Sequence, residues 1–151
     1  MPKHTPSPVD VAASDLLTAC GLLVRRVRAE SNNLGLTWSQ AAVLGRLEMS
    51  GPMSTADLAR AEAVKPQSMG VTLATMEQDG LLAREPHPSD GRQFLYGLTA
   101  DGMEARRRVK EAKHAWLAEA ISRLSSHDRD DLAVAARVIR NLAEVSTQDA
   151  P

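Results

Sequence analysis

Few side chains in this sequence could do chemistry, and none of them cluster. The four histidines, His4, His87, His114 and His127, are scattered. None pairs with another, or with the single cysteine Cys20, at metal-ligand spacing. No glycine loop could cradle a phosphate, and no Ser/His/Asp arrangement is present. The sequence therefore predicts neither an enzyme nor a bound cofactor or metal. What remains is directional polarity. Gln67 and Ser68 follow Lys65-Pro66, with Val71 and Ala74 further along. An amide and a hydroxyl near a helix start can reach base edges, and small apolar side chains can touch thymine methyls. A second stretch, "HPSDGRQFLYGLTADG" from His87 to Gly102, holds a tight polar turn, the only Phe and the only Tyr, with Arg92 at the turn's edge. An arginine there suits a phosphate or a minor groove. Asp90, two residues earlier, can hold its guanidinium and aim it; the plainer reading is that the two merely pin the turn. Such a surface pair is worth only about 0–1 kcal/mol, so it orients more than it stabilises.

The elements that must position these residues follow from periodicity. From Val9 to Val27 apolar residues fall at helical spacing, and Asn32, Asn33 and Gly35 end that run. Thr37 with Gln40 makes a capping box for a second helix, which Gly51-Pro52 stops. Ser54 opens a short third helix, with Asp57 near its positive end. After a turn at 62–65, Pro66 starts a fourth helix, and Gly80 ends it. On a helical wheel Met69, Thr72, Leu73 and Met76 face inward, while Gln67, Val71, Ala74 and Gln78 face out. An ordinary solvent face carries more Lys, Glu and Arg than that outer one. Two strands, roughly 81–86 and 93–98, form a hairpin, and Phe94, Tyr96 and Leu98 are expected to anchor it to the core. Thr99 caps a helix from about 100 to 124, and Ser125 or Ser126 caps a last one. Short helix, turn, longer helix and hairpin make a winged helix-turn-helix, whose second helix can lie in a DNA major groove.

Bulk composition narrows the partners. A net charge of −1 gives no global attraction to nucleic acid, so any such contact depends on a local patch. With 43% hydrophobic but only 3% aromatic residues, the core is aliphatic and favours helix. A lone cysteine excludes an intrachain disulfide. The opening MPKHTPSPVD lacks a secretory apolar stretch, and no run reaches the roughly 20 apolar residues of a membrane span. A soluble, cytoplasmic protein with no membrane partner is the expectation.

The stretch "STADLARAEAVKPQSMGVTLATMEQDGLLAREPHPSDGRQFLYGLTADG" resembles the MarR family of transcription regulators. The resemblance is carried by the Asp90-Gly91-Arg92 wing, the Leu98-Thr99-Ala100-Asp101-Gly102 exit, the Gly80-Leu81 break and the Leu36-Thr37 opening, and covers about residues 10–145. It implies a mostly α fold with a small β-hairpin wing: a winged lobe over 36–99, and dimerisation helices over 9–33 and 100–145. A flexible arm over 1–8 and a flexible tail over 146–151 flank them. It implies a homodimer that reads a pseudo-palindromic operator in double-stranded DNA, by family default as a repressor. In many members a small aromatic or phenolic effector binds between the dimer and DNA-binding regions. By that resemblance Ser54 and Thr55 meet phosphate, Lys65, Gln67, Ser68 and Val71 enter the major groove, and Arg92 enters the minor groove. Members often carry arginine on the exposed face of the fourth helix, where this chain has Gly70, Val71 and Ala74. Affinity then leans on the wings, on Lys65 and Arg84, and on bivalency.

Other readings stay open at this level. Cys20 could sense oxidants, as some relatives do from the first helix, but it sits on an apolar stripe with Arg25 five residues away, which suits a filler role. A winged helix that binds protein would show the same smooth face. Trp38 either lines an effector cleft or seals the start of its helix. Trp116 is expected in the dimer interface, and Arg106-Arg107-Arg108 on a solvated face, with phosphate contact as the lesser alternative.

Overall fold

The structure, a computed structural model, describes residues 6–144. Among the described residues, 6–114 and 115–144 form two compact units. The elements in order are α1 (Pro8–Asn32), α2 (Trp38–Ser50), β1 (Met53–Ser54), α3 (Thr55–Ala61), α4 (Pro66–Gln78), β2 (Leu82–Pro86), β3 (Phe94–Leu98), α5 (Ala100–Ser122) and α6 (Ser126–Glu144). This is the mostly helical fold with a small β wing that the sequence predicts. No helix among the described residues is long and apolar enough to cross a membrane.

Local chemistry sets most of the boundaries. Ser7 and Asp10 form a capping box, so α1 begins at Pro8, inside the stretch expected to be a loose arm. The rest of that arm up to residue 5, and the tail from residue 145, lie outside the described residues. Thr37 and Gln40 cap α2 reciprocally, with Gln40 N donating to Thr37 Oγ1 at 3.2 Å and Thr37 N donating to Gln40 Oε1 at 2.8 Å. Gly80 takes φ +74°, a left-handed conformation that ends α4 without a Cβ penalty. Ser125, rather than Ser126, caps α6, accepting from Asp128 N at 3.1 Å.

The core belongs to the winged lobe. Val43, Leu44 and Leu47 of α2 meet Leu58 and Ala59 of α3 and Met69, Leu73 and Met76 of α4, with Leu82 and Tyr96 from the sheet. The inward face expected for α4 is therefore the buried one, except that Thr72 is only half-buried. The sheet has three strands, in the order β1-β3-β2, not the two of a simple hairpin. Met53 and Ser54 pair with Tyr96 and Leu95. Two residues carry no readable alternation, so β1 has no signature in the sequence.

Phe94 departs from expectation. Tyr96 is 9% exposed and anchors the wing, and Leu98 packs against the core, but Phe94 is 42% exposed. The register gives the reason. Tyr96 lies where β3 is flanked by both β1 and β2, whereas Phe94 pairs with Pro86 at the turn end of the hairpin.

α5 starts against the sheet through a close backbone approach. Thr99 N donates to the Leu81 carbonyl at 3.1 Å, and Thr99 Oγ1 donates to the Gly80 carbonyl at 2.6 Å. The same hydroxyl accepts from Gly102 N at 3.0 Å and so caps the helix. A Cβ on Gly102 would lie 2.0 Å from the Leu81 carbonyl oxygen, so only glycine fits there. The Leu-Thr-x-x-Gly exit thereby locks α5 onto the turn that ends α4. Arg106, expected on a solvated face, is instead largely covered and pairs with Glu48 of α2 at 2.9 Å.

Candidate nucleic-acid interface

The site is built from α3, the turn after it, α4 and the wing. Ser54 is buried, and its hydroxyl is committed to capping. It accepts from Asp57 N at 3.1 Å and donates to Asp57 Oδ2 at 2.8 Å. Thr55 beside it is half-buried. The Ser54 hydroxyl first, and Arg60 second, hold the Asp57 carboxyl below its usual range. A depressed folded-state value means that this cap stabilises α3 above the ordinary carboxylate range and is lost as pH falls through the lowered value. Ser54→Ala is expected to cost about 1 kcal/mol, a fall of roughly 2–4 °C in thermal midpoint, checked by calorimetry.

The turn between α3 and α4 is fixed from two sides. Ala63 takes φ +52°, and Arg46 of α2 reaches Glu62 at 2.9 Å. Lys65 then caps α4 with its backbone alone, leaving its side chain exposed beside Pro66 at the first position. Gln67, Ser68, Val71, Ala74 and Gln78 are all exposed along α4, with Val71 at 66%. A Cβ at Gly70 would meet nothing within 4 Å. This face is uncharged and shallow, open to another surface at close range.

The wing turn is held by its own atoms. Asp90 Oδ1 accepts from the Arg92 backbone N at 3.1 Å, and Asp90 Oδ2 accepts from Gln93 Nε2 at 2.9 Å. His87 N donates to the Gln93 carbonyl at 2.9 Å, closing the loop. Asp90 therefore shapes the turn, the plainer of the two readings, and does not grip and aim the Arg92 guanidinium. Its two oxygens are taken by an amide N–H and a side-chain amide, which sit closer in the turn than the end of a long arginine side chain. Among the described residues the Arg92 guanidinium has no ion-pair partner. Arg92 and Gln93 line one hollow of about 310 Å³ with Ser54, Thr55 and Ala56. The fold thus brings the expected wing arginine to the start of α3.

Arg84 is differently placed. Its Nε lies 3.2 Å from Glu77 Oε1 at the end of α4, and its guanidinium carbon lies 4.7 Å from the centre of the Phe94 ring. At exposed sites each contact contributes at most about 1 kcal/mol. Nothing in the spacing of Glu77, Arg84 and Phe94 announces this cluster.

Trp38, half-buried at the start of α2, has Arg28 of α1 at 4.5 Å and Lys113 of α5 at 4.8 Å from its ring centre. Burial first, and the Arg106 charge second, pull the Lys113 ammonium below its usual range. The cavity beside Trp38 and Ser68 measures about 100 Å³, small against the roughly 300 Å³ of a ligand pocket. Cys20 is half-buried on α1, and among the described residues no group of His, Cys, Asp and Glu could hold a metal.

A short helix, a pinned turn, a second helix with an open face and an arginine-edged hairpin define a winged helix-turn-helix protein. The sequence profile of the MarR family matches residues 36–94. The HTH-type transcriptional regulator ML2140 of Mycobacterium leprae is 37% identical over 134 residues, covering 89% of this chain and 94% of the relative. This chain belongs to the MarR family and is a transcriptional regulator. Among solved structures, that of RV1404 from Mycobacterium tuberculosis matches with a TM-score of 0.79 and 27% identity, covering 95% of this chain and 99% of the other. The MarR family protein Rv2887 of M. tuberculosis, in complex with p-aminosalicylic acid, matches with a TM-score of 0.67 and 28% identity over 87% and 98% of the two chains.

Proposed function

We propose that this protein is a homodimeric repressor that binds a pseudo-palindromic site in double-stranded DNA. Lys65, Gln67, Ser68 and Val71 of α4 enter the major groove, Thr55 approaches phosphate beside the capping Ser54, and Arg92 enters the adjacent minor groove. One observation carries this reading: an uncharged, open α4 face flanked by an exposed arginine that has no ion-pair partner among the described residues. Gln and Ser offer hydrogen bonds to base edges, while Val71, with its side chain out in solvent, gains by covering a thymine methyl. The absence of arginine on α4 assigns more of the affinity to the wings and to pairing of two lobes. A relative, the M. tuberculosis protein Rv2887, is named a transcriptional repressor, at 34% identity over 78% of this chain and 85% of its own length.

Dimerisation is supported by apolar surface that the single chain leaves uncovered. On α1, Val9 and Leu17 are 76% and 75% exposed. α6 has nineteen residues and buries none, although Leu132, Ile139 and Leu142 form a stripe. Helices of that length need an apolar face packed against something to be stable. A second chain supplies that cover.

The test is fluorescence anisotropy of labelled mixed-sequence and enriched duplexes across a salt series. DNA binding predicts affinity falling steeply as salt rises, by about one decade per decade of salt for each phosphate neutralised. A protein-binding winged helix would leave the duplexes unbound in dilute buffer, and that result refutes the reading.

A second reading concerns an effector. Rv2887 holds p-aminosalicylic acid, and here Trp38 meets two cationic side chains, a combination that suits an aromatic carboxylate. Titration with p-aminosalicylate should release bound duplex, and Trp38→Ala should blunt that release. Release that is equally sensitive in Trp38→Ala would remove Trp38 from the site.

A further inference from the structure

We infer that Arg84 is a positioning residue, which sets the angle between the wing and α4 by clamping Glu77 to Phe94, and that it is not itself a phosphate contact. This rests on the DNA-binding reading above. Glu77 lies in the last turn of α4, the helix proposed to enter the major groove. Arg84 pairs across the sheet with Tyr96, and Phe94 sits two residues along β3 on the same face. The guanidinium therefore reaches the carboxylate with Nε, at 3.2 Å, while its carbon lies 4.7 Å from the ring centre. One side chain touches both the recognition helix and the turn end of the wing.

Two consequences follow. The Glu77 carboxylate neutralises the charge that Arg84 would otherwise offer to DNA. The guanidinium also covers one face of the Phe94 ring, which the strand register leaves 42% exposed at the turn end of the hairpin. Both charged partners are half-open to solvent, at 49% and 34%, so the clamp adds little to stability. Its effect is geometric. It fixes how far Arg92, near the hairpin tip, stands from the exposed face of α4, and those two must meet neighbouring grooves together.

Phosphate contact and positioning predict opposite results. The probes are a duplex enriched from a random pool by the wild-type protein and a mixed-sequence duplex of equal length. If Arg84 positions, Glu77→Gln, Arg84→Gln and Phe94→Leu each lower the ratio of the two affinities roughly five- to tenfold. The double variant Glu77→Gln/Arg84→Gln then loses no more than either single one. The salt slope of Arg84→Gln stays close to that of wild type. If Arg84 held phosphate, Glu77→Gln would free it and tighten binding, Phe94→Leu would be neutral, and Arg84→Gln would lower the slope by about one per protomer. Any of those outcomes, or unchanged ratios in all three single variants, overturns the inference. Phe94→Leu keeps both charges, so it reads the clamp even if a charge variant folds poorly. Wild-type protein that enriches no duplex overturns the DNA reading, and this inference falls with it.

Discussion

Alanine at Gly102, in the first turn of α5, is expected to destabilise the protein more than any single added methyl in the winged lobe. The added Cβ would stand 2.0 Å from the Leu81 carbonyl oxygen, inside any tolerable contact. The obstacle is backbone, so no side-chain rotation relieves it. Either α5 moves away from the turn after α4, or that turn opens. Both movements break the Thr99 bonds to Leu81 and Gly80, and with them the Thr99–Gly102 cap. Overpacking costs about 1–3 kcal/mol and a lost cap about 1 kcal/mol, which together lower the thermal midpoint by roughly 10 °C. Gly70→Ala is the matched control. Its Cβ meets nothing, and alanine is the better helix former, so the midpoint should hold or rise by a few degrees. Calorimetry of both at one protein concentration decides it. A Gly102→Ala midpoint equal to wild type would mean that α5 does not seat on Leu81 as described.

Arg92→Ala is expected to have the largest effect on DNA affinity while leaving the fold intact. Asp90 bonds the Arg92 backbone N and not its guanidinium, so truncating the side chain removes nothing that holds the turn. The hollow it shares with Thr55 sits on the surface, and Arg92 is exposed. An arginine contact to DNA is worth about 1–2 kcal/mol, and a dimer has two wings, so affinity for an enriched duplex should fall roughly a hundredfold. The salt slope should fall by about two in the same titration. Asp90→Ala should also weaken binding, by loosening the turn, with a smaller change in slope. Unchanged affinity of Arg92→Ala, with an unchanged far-ultraviolet spectrum, would remove the wing from the interface.

The two variants also mark what can be read from the sequence. Contacts a few residues apart are legible, because they depend on local rules of the chain. The Thr37–Gln40 box, Pro66 at the start of α4, Gly80 at its end and the inward Met69, Leu73 and Met76 belong to that class. So does the open face of α4, which follows from helical periodicity. Contacts that depend on how elements meet are not legible. Arg106 reaches Glu48 across 58 residues, and Arg28 and Lys113 converge on Trp38 from two other helices. Arg84 finds Glu77 only because the Gly80 turn folds β2 back beside α4. Phe94 and Tyr96 look alike in an alternating strand. They part because a third, two-residue strand covers one end of β3 and not the other. Asp90 beside Arg92 looks like an ion pair, and the turn gives its oxygens to nearer amides instead.

Selection of bound sequences from a random duplex pool by the purified protein tests the paired, groove-reading molecule most directly. Two α4 helices carried by a symmetric pair predict an enriched inverted repeat, with half-sites about one helical turn apart, roughly 10 base pairs between centres. A pool that enriches no motif, or one that enriches a lone half-site without its inverted partner, would contradict it.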